Sequence, residues 1–241
     1  LCPQATIVKG TRGEYSKYSR WVTEIIGTKA PLFEKASIDE FYLDLTGMDK
    51  YFNPWQWTID MRQEIIDKTG LPISFGLASN KMIAKMATNA AKPNGYMQVK
   101  PGMEKEFLSP LPVNAIPGIG KQTYQHLLAI GIQTIGDISA RKPSDLEFLL
   151  GGYGQELWNK AQGIHHGEVV PYYEAKSVST ENTFETSSTD MDFIMSELVR
   201  MTERIAYELR QDDKMAGCIA VKIRYPDFEA SSRQRAISYT C

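Results

Sequence analysis

Hydrophobic positions change their period several times along this chain. In residues 11–28 (TRGEYSKYSRWVTEIIGT), Tyr15, Tyr18, Trp21, Val22 and Ile25 recur at three- and four-residue spacing, which predicts an amphipathic helix stopped by Gly27. Two short runs follow, LFEKASI (32–38) and FYLDLT (41–46), both rich in strand-forming residues. Residues 55–69 predict a second helix ending at Gly70, residues 71–79 (LPISFGLAS) a strand, and residues 80–91 (NKMIAKMATNAA) a third helix. Pro93-Asn94-Gly95 closes that helix, and residues 96–100 form a short strand. This order predicts an α+β domain over residues 11–101, with helices against a mainly antiparallel sheet.

Pro101-Gly102 marks a change of character. From 102 to 167 the pattern is helical only, in short pieces separated by glycines. Residues 168–176 lack any apolar period and read as a linker. Residues 177–184 (SVSTENTF) look strand-like. Residues 191–210 then form a periodic helix through Ile194, Leu198, Met201, Ile205 and Leu209. CIAVKIRY (218–225) alternates as a strand and RAISY (235–239) begins another, so a last domain over 177–241 reads as unfinished. A length of 241 residues agrees with more than one domain.

The stretch SIDEFYLDLT (37–46) poses a chemical problem. Neighbouring side chains of a regular strand point to opposite faces, so one of Asp39 and Glu40 would face a core, where an unpaired carboxylate is costly. A hairpin removes the conflict, with 32–38 and 41–46 as its strands and Asp39-Glu40 at the turn. Both acids can then project the same way. On a hairpin tip with no compensating Lys or Arg beside them they repel each other, and a divalent cation would relieve that, since hard cations such as Mg²⁺ prefer oxygen ligands. The plainer alternative is a solvated turn.

Composition narrows the setting. Hydrophobic residues make up 42% and charged residues 23%, as in ordinary globular chains. No apolar run approaches a membrane span, and the first residues lack the pattern of a secretory signal. The first residue is Leu rather than Met, which points to a fragment. Cys2, Cys218 and Cys241 are scattered, which argues against a disulfide framework or zinc site and agrees with a reducing cytoplasm. A net charge of −2 argues against a protein that binds nucleic acid through overall basicity, though not against basic patches on one face.

Three further patterns carry candidate chemistry. IPGIGK (116–121) places glycines and Lys121 at the head of a helix, where close backbone approach and successive N–H groups suit a phosphate oxygen; a tight turn between packed helices is the alternative. Lys81, Lys85 and Lys92 recur near helical spacing, either as a solvated face or as ammonium groups near an anion. Lys222 and Arg224 share one face of CIAVKIRY, and Arg233 and Arg235 repeat that spacing in the next strand, which predicts a basic face able to follow a duplex backbone.

Taken in order, SIDEFYLDLTG, GLASNKMIAKMATNAAKPNG, IPGIGKQTYQHLLAIGIQTIGDI and KSVSTENTF resemble the Y-family DNA polymerases, the translesion enzymes, over essentially the whole chain. The resemblance implies a fingers remnant at 1–10, a palm with a mixed sheet at 11–101, and an all-helical thumb with a helix-hairpin-helix at 102–167. It further implies a linker at 168–176 and an incomplete α/β little finger at 177–241. By resemblance, Asp39 and Glu40 match catalytic carboxylates holding two Mg²⁺ ions, and Lys92 matches the lysine on the incoming triphosphate. Gly118, Ile119, Gly120 and Lys121 match the DNA-backbone grip, and Lys222 and Arg224 would add DNA contacts. The implied activity is nucleotidyl transfer, with primer-template DNA and a deoxynucleoside triphosphate as substrates and a sliding clamp reached through a missing C-terminal tail. The implied setting is DNA repair in the cytoplasm, with no membrane. The family's first catalytic aspartate, steric gate and triphosphate-binding fingers residues have no counterpart here, so the chain is expected to be an inactive fragment of an active enzyme. A non-catalytic DNA-binding scaffold is the alternative.

Overall fold

The computed structural model describes residues 2–8, 10, 11 and 13–240. Arg12, within the helix expected over 11–28, and Cys241, one of the three scattered cysteines, lie outside the described residues. The chain divides into two compact units, Leu1–Tyr172 and Tyr173–Cys241.

In the first unit, α1 (Glu14–Gly27) leads into the antiparallel hairpin of β1 (Leu32–Lys35) and β2 (Phe41–Asp44), with Leu32 opposite Asp44 and Lys35 opposite Phe41. Helix α2 (Pro54–Thr69) starts where the Asn53 side chain accepts the N–H groups of Trp55 and Gln56, and it stops at Gly70 in a left-handed conformation. Next come β3 (Phe75–Leu77), α3 (Lys81–Ala90) and β4 (Tyr96–Gln98). Strands β3 and β4 pair in parallel, Phe75 opposite Tyr96. The expected single, mainly antiparallel sheet is therefore corrected: among the described residues the unit has two separate two-stranded sheets, one antiparallel and one parallel, so the pairing is mixed across two sheets. The reason is connectivity, because a helix inserted between two strands returns the chain running in the same direction.

Two cores support these elements. The smaller one joins Val22 and Ile26 of α1 to Met61 and Ile65 of α2, with Phe33, Phe41 and Leu43 of the hairpin packed on it. This backs the hairpin and leaves its turn free. The larger core runs from Met82, Ile83 and Met86 of α3 into the helical segment that follows. That segment holds α4 (Glu104–Leu108), α5 (Lys121–Ala129), α6 (Ile135–Ser139), α7 (Pro143–Leu150) and α8 (Gly152–Ala161). Leu108, Ile116 and Leu157 are fully buried with Ile83, so the packing does not break at residue 101, where the composition changes. Truncating a buried isoleucine such as Ile83 to Ala removes about 2–5 kcal/mol. Asn80 adds a polar tie, since its Nδ2 donates to the Gly163 carbonyl at 2.9 Å and its Oδ1 caps α3 through Ile83 N.

In the second unit, α9 (Met191–Gln211) is capped by Asp190, whose carboxylate accepts the N–H groups of Asp192 and Phe193. Its expected stripe, Ile194 through Leu209, is half-buried rather than buried. Residues 177–184 are irregular instead of a strand. They are held by side chains, with the Phe184 ring edge-on to Phe193 at 4.9 Å and Asn182 donating to Glu197 at 3.0 Å. Strands β5 (Ala216–Arg224) and β6 (Ala230–Thr240) form an antiparallel hairpin.

Candidate metal and nucleotide site

The turn between β1 and β2 is built around Ser37. Its hydroxyl accepts the N–H groups of Asp39 (3.3 Å) and Glu40 (3.0 Å) and donates to Asp39 Oδ1 at 2.6 Å. The Glu40 carbonyl in turn accepts Ala36 N and Ser37 N. The backbone thus leaves the pleat after Lys35 and rejoins it at Phe41, so the adjacent acids escape the strand alternation. Asp39 is exposed and Glu40 half-buried. Asp44, one strand length away, instead accepts Thr46 N at 2.8 Å and closes the following turn.

One expectation is corrected here: the acidic pair does have a neighbouring cation. Lys85, in the middle of α3, donates to both carboxylate oxygens of Glu40 at 2.7 Å. The helix brings it there across 45 residues of sequence, which inspection of the neighbouring positions cannot reveal. The bond to Glu40 raises the Lys85 pKa, against a smaller lowering by burial, and the negative charge of Asp39 adds to the rise. Tyr42 is half-buried beside both lysines; burial raises its pKa while Lys85 pulls it down. Lys81, one turn earlier, is paired with Glu34.

Lys92 follows α3 by two residues and is exposed. It lies seven positions past Lys85, in the turn that follows the helix rather than on the helix itself. The turn after it is strongly constrained. Asn94 is left-handed at φ +50°, and a Cβ on Gly95 would run into the Ala91 carbonyl oxygen. Arg62 of α2 clamps the turn from behind: its Nε donates to the Ile73 carbonyl at 2.7 Å, and its Nη2 donates to Asn94 O at 2.8 Å and Asn94 Oδ1 at 2.5 Å. The guanidinium also lies 5.5 Å from the Tyr96 ring centre. Sequence reasoning missed Arg62, which carries no local signal within an ordinary helix.

At 116–121, Ile116 is buried and Ile119 packs on the larger core, so this turn is anchored by its isoleucines. Gly118 has φ +96°, a backbone that disfavours side chains. Gly120 is extended, with open space where a Cβ would stand. Helix α5 then starts without a side-chain cap among the described residues, with Lys121 exposed at its first position. Uncapped N–H groups at a helix start suit an anionic oxygen.

The expected single basic face in the second unit is corrected. Lys222 lies opposite Ser232 and Arg224 opposite Ala230, whereas Arg233 lies opposite Val221 and Arg235 opposite Ile219. Directly paired residues share a face, so Lys222 and Arg224 project from one side and Arg233 and Arg235 from the other. Equal spacing in two strands does not fix their relative register, which the turn decides.

Asp39 and Glu40 offer hard oxygen donors that fit part of the octahedral oxygen shell of a Mg²⁺ ion. Among the described residues, no group of three His, Cys, Asp or Glu gathers as a complete set.

Residues 1–89 match the impB/mucB/samB family, and residues 175–241 match the impB/mucB/samB family C-terminal domain. DNA polymerase IV of Dehalococcoides mccartyi is 37% identical over 242 residues, covering 100% of this chain and 62% of that protein. DNA polymerase IV of Lactococcus lactis subsp. cremoris is 35% identical, covering 98% of this chain and 65% of that protein. Among solved structures, a Y-family DNA polymerase chimera of Dbh and Dpo4 superposes with a TM-score of 0.82 at 26% identity, covering 98% of this chain and 68% of that one. The chain belongs to the Y-family of DNA polymerases. DinB from Sulfolobus solfataricus also superposes, with a TM-score of 0.63 at 25% identity over 98% of this chain and 69% of that one. The first of these curated relatives is matched over 62% of its length, so this chain spans about six-tenths of it. No described helix is long and apolar enough to cross a membrane.

Proposed function

We propose that this chain is the palm, thumb and part of the little finger of a translesion DNA polymerase. In this reading residues 1–10 are a fingers remnant, 11–101 the palm, 102–167 the thumb, 168–176 a linker and 177–241 the little finger. The observation that carries the reading is the Ser37-closed turn, which presents Asp39 and Glu40 together beside a lysine-bearing helix. Several relatives bear the name DNA polymerase IV, and one of the matched structures is an insertion ternary complex of Dbh DNA polymerase, which supports DNA and a deoxynucleoside triphosphate as substrates.

Asp39 and Glu40 would hold two Mg²⁺ ions, which supply the chemistry of lowering the primer hydroxyl's pKa and neutralising the departing pyrophosphate. The chain's own residues do the rest. Asp39, exposed and hydrogen-bonded by the neutral Ser37 hydroxyl, presents its carboxylate to a cation, while Glu40 is ion-paired with Lys85. Lys92 binds the triphosphate from the exposed end of α3, and Arg62 keeps its turn in place. Gly118, Ile119, Gly120 and Lys121 bind DNA phosphates without reading bases. Lys222 and Arg224 add phosphate contacts from one side of the second unit's hairpin.

Two carboxylates are a sparse set for this chemistry, so the 241 residues alone are expected to be inactive. The full-length polypeptide is expected to act in the cytoplasm, in DNA repair, with a sliding clamp as partner. The test is primer extension by that polypeptide with Mg²⁺ and each deoxynucleotide. Extension that Asp39→Ala abolishes supports the reading. DNA binding without extension by the wild-type protein would replace it with the scaffold.

A further inference from the structure

Glu34 is a buried acid that the proposed chemistry does not use. It sits in β1, five residues before Asp39, and is 6% exposed. Its Oε2 accepts two donors, Lys81 Nζ at 2.5 Å and the backbone N–H of Val170 at 2.9 Å. Lys81 Nζ also donates to the Glu168 carbonyl at 3.0 Å and lies 4.8 Å from the centre of the Tyr42 ring. Tyr42 is the direct cross-strand partner of Glu34. Four segments therefore meet at one ion pair: both hairpin strands, the first turn of α3, and the chain leaving the helical segment.

The placement of Lys81 is informative. It is the first residue of α3, where the helix dipole disfavours a cation. Removing one partner of a buried pair leaves an uncompensated charge, and apolar packing could serve stability at least as well. What apolar packing does not give is directional hydrogen bonding to two backbone groups, Val170 N–H and Glu168 C=O. The residues between Gly163 and Tyr172 have neither helix nor strand to hold them.

We infer that Glu34 and Lys81 are positioning residues that lock the root of the linker, at Glu168 and Val170, onto the hairpin carrying Asp39 and Glu40. Helix α3 grips that hairpin at two levels one turn apart, Lys81 on Glu34 and Lys85 on Glu40. A displacement of the linker root is thereby transmitted to the carboxylate turn. The kinetic consequence rests on the polymerase reading above, while the anchor itself does not.

The experiment uses the full-length polypeptide carrying Glu34→Gln, Lys81→Met or Lys81→Arg. It follows hydrogen exchange at the Val170 amide, the melting temperature, and kcat and KM for nucleotide addition. Expected are faster Val170 exchange in the Gln and Met variants and a fall in kcat of about tenfold. KM for the nucleotide should stay unchanged, and Lys81→Arg, which keeps the charge, should restore both readouts. A merely structural pair would lower the melting temperature without separating kcat from KM. Unchanged Val170 exchange in Glu34→Gln overturns the anchor. Faster exchange with an unchanged kcat overturns the coupling to the turn. If the two charge-removing variants do not fold, Lys81→Arg decides: wild-type exchange and kcat support the pair's role, and a loss of either overturns it. A wild-type protein that adds no nucleotide sinks the polymerase reading, and the exchange result then decides the anchor by itself.

Discussion

Lys85 Nζ lies 2.7 Å from each carboxylate oxygen of Glu40. A cation bound at Glu40 must share those oxygens with an ammonium group, and like charges at such distances repel even where solvent screens them. Lys85→Gln keeps a hydrogen-bonding side chain but removes the charge. Isothermal titration of the full-length polypeptide with Mn²⁺ should then show several-fold tighter binding. Unchanged affinity would mean that the ion does not draw on Glu40. The pair's own contribution to folding is small, about 0.2–1 kcal/mol for partly exposed partners.

Asp39 has a different environment, with Ser37 Oγ at 2.6 Å. Asp39→Ala should abolish nucleotide incorporation and leave primer-template affinity within about twofold, because the phosphate contacts that govern affinity lie elsewhere. Gel-shift titration alongside primer extension checks both halves. Residual incorporation near the wild-type level would remove Asp39 from the metal site.

The two glycines at 118 and 120 separate strain from access. Gly118→Val forces a β-branched residue into a left-handed backbone and should destabilise the protein by about 1–2 kcal/mol or more. Gly120→Val meets an extended backbone and open space, so the melting temperature should hold. It should still weaken DNA binding to a similar degree for every sequence, since a side chain there blocks approach to phosphate. Undiminished binding by Gly120→Val would argue against a phosphate site at the head of α5.

Arg62 tests how Lys92 is positioned. Arg62→Lys retains the charge but cannot bridge the Ile73 and Asn94 carbonyls together. Lost hydrogen bonds of this kind cost about 1–3 kcal/mol. The expected kinetic signature is a raised KM for the nucleotide with kcat much less affected. An unchanged KM would show that the turn needs no clamp.

Acid sensitivity should be traceable to Asp137. Its carboxylate accepts Thr134 N at 2.8 Å and Gln133 N at 2.9 Å, and those backbone bonds, with the Thr134 side chain, hold its pKa below the usual aspartate value. A lowered folded pKa gives stability that is present above the unfolded value, about 3.9. That stability is lost as pH falls through the folded value. Urea midpoints of wild type and Asp137→Asn should therefore differ at pH 7 and converge in strong acid. A gap that stays constant with pH would place the effect in packing.

The sequence alone marked the hairpin that carries Asp39-Glu40, because alternation and adjacent carboxylates are incompatible within one strand. It also marked the glycine turn before Lys121 and the helices around Met61, Ile83 and Leu198, whose periods follow from local geometry. Residues 177–184 looked like a strand by composition, but a strand needs a partner, and here side-chain contacts from Phe184 and Asn182 hold the segment instead. Tertiary structure decided everything that depends on which distant segments meet. Lys85 neutralises Glu40, Arg62 clamps Asn94, and Glu34 receives both Lys81 and the Val170 amide, each across many residues of chain. The basic residues of β5 and β6 divide between two faces because register, set by the turn, is invisible in spacing. Period is a property of neighbours and is written locally, whereas charge pairing and register are properties of the folded chain.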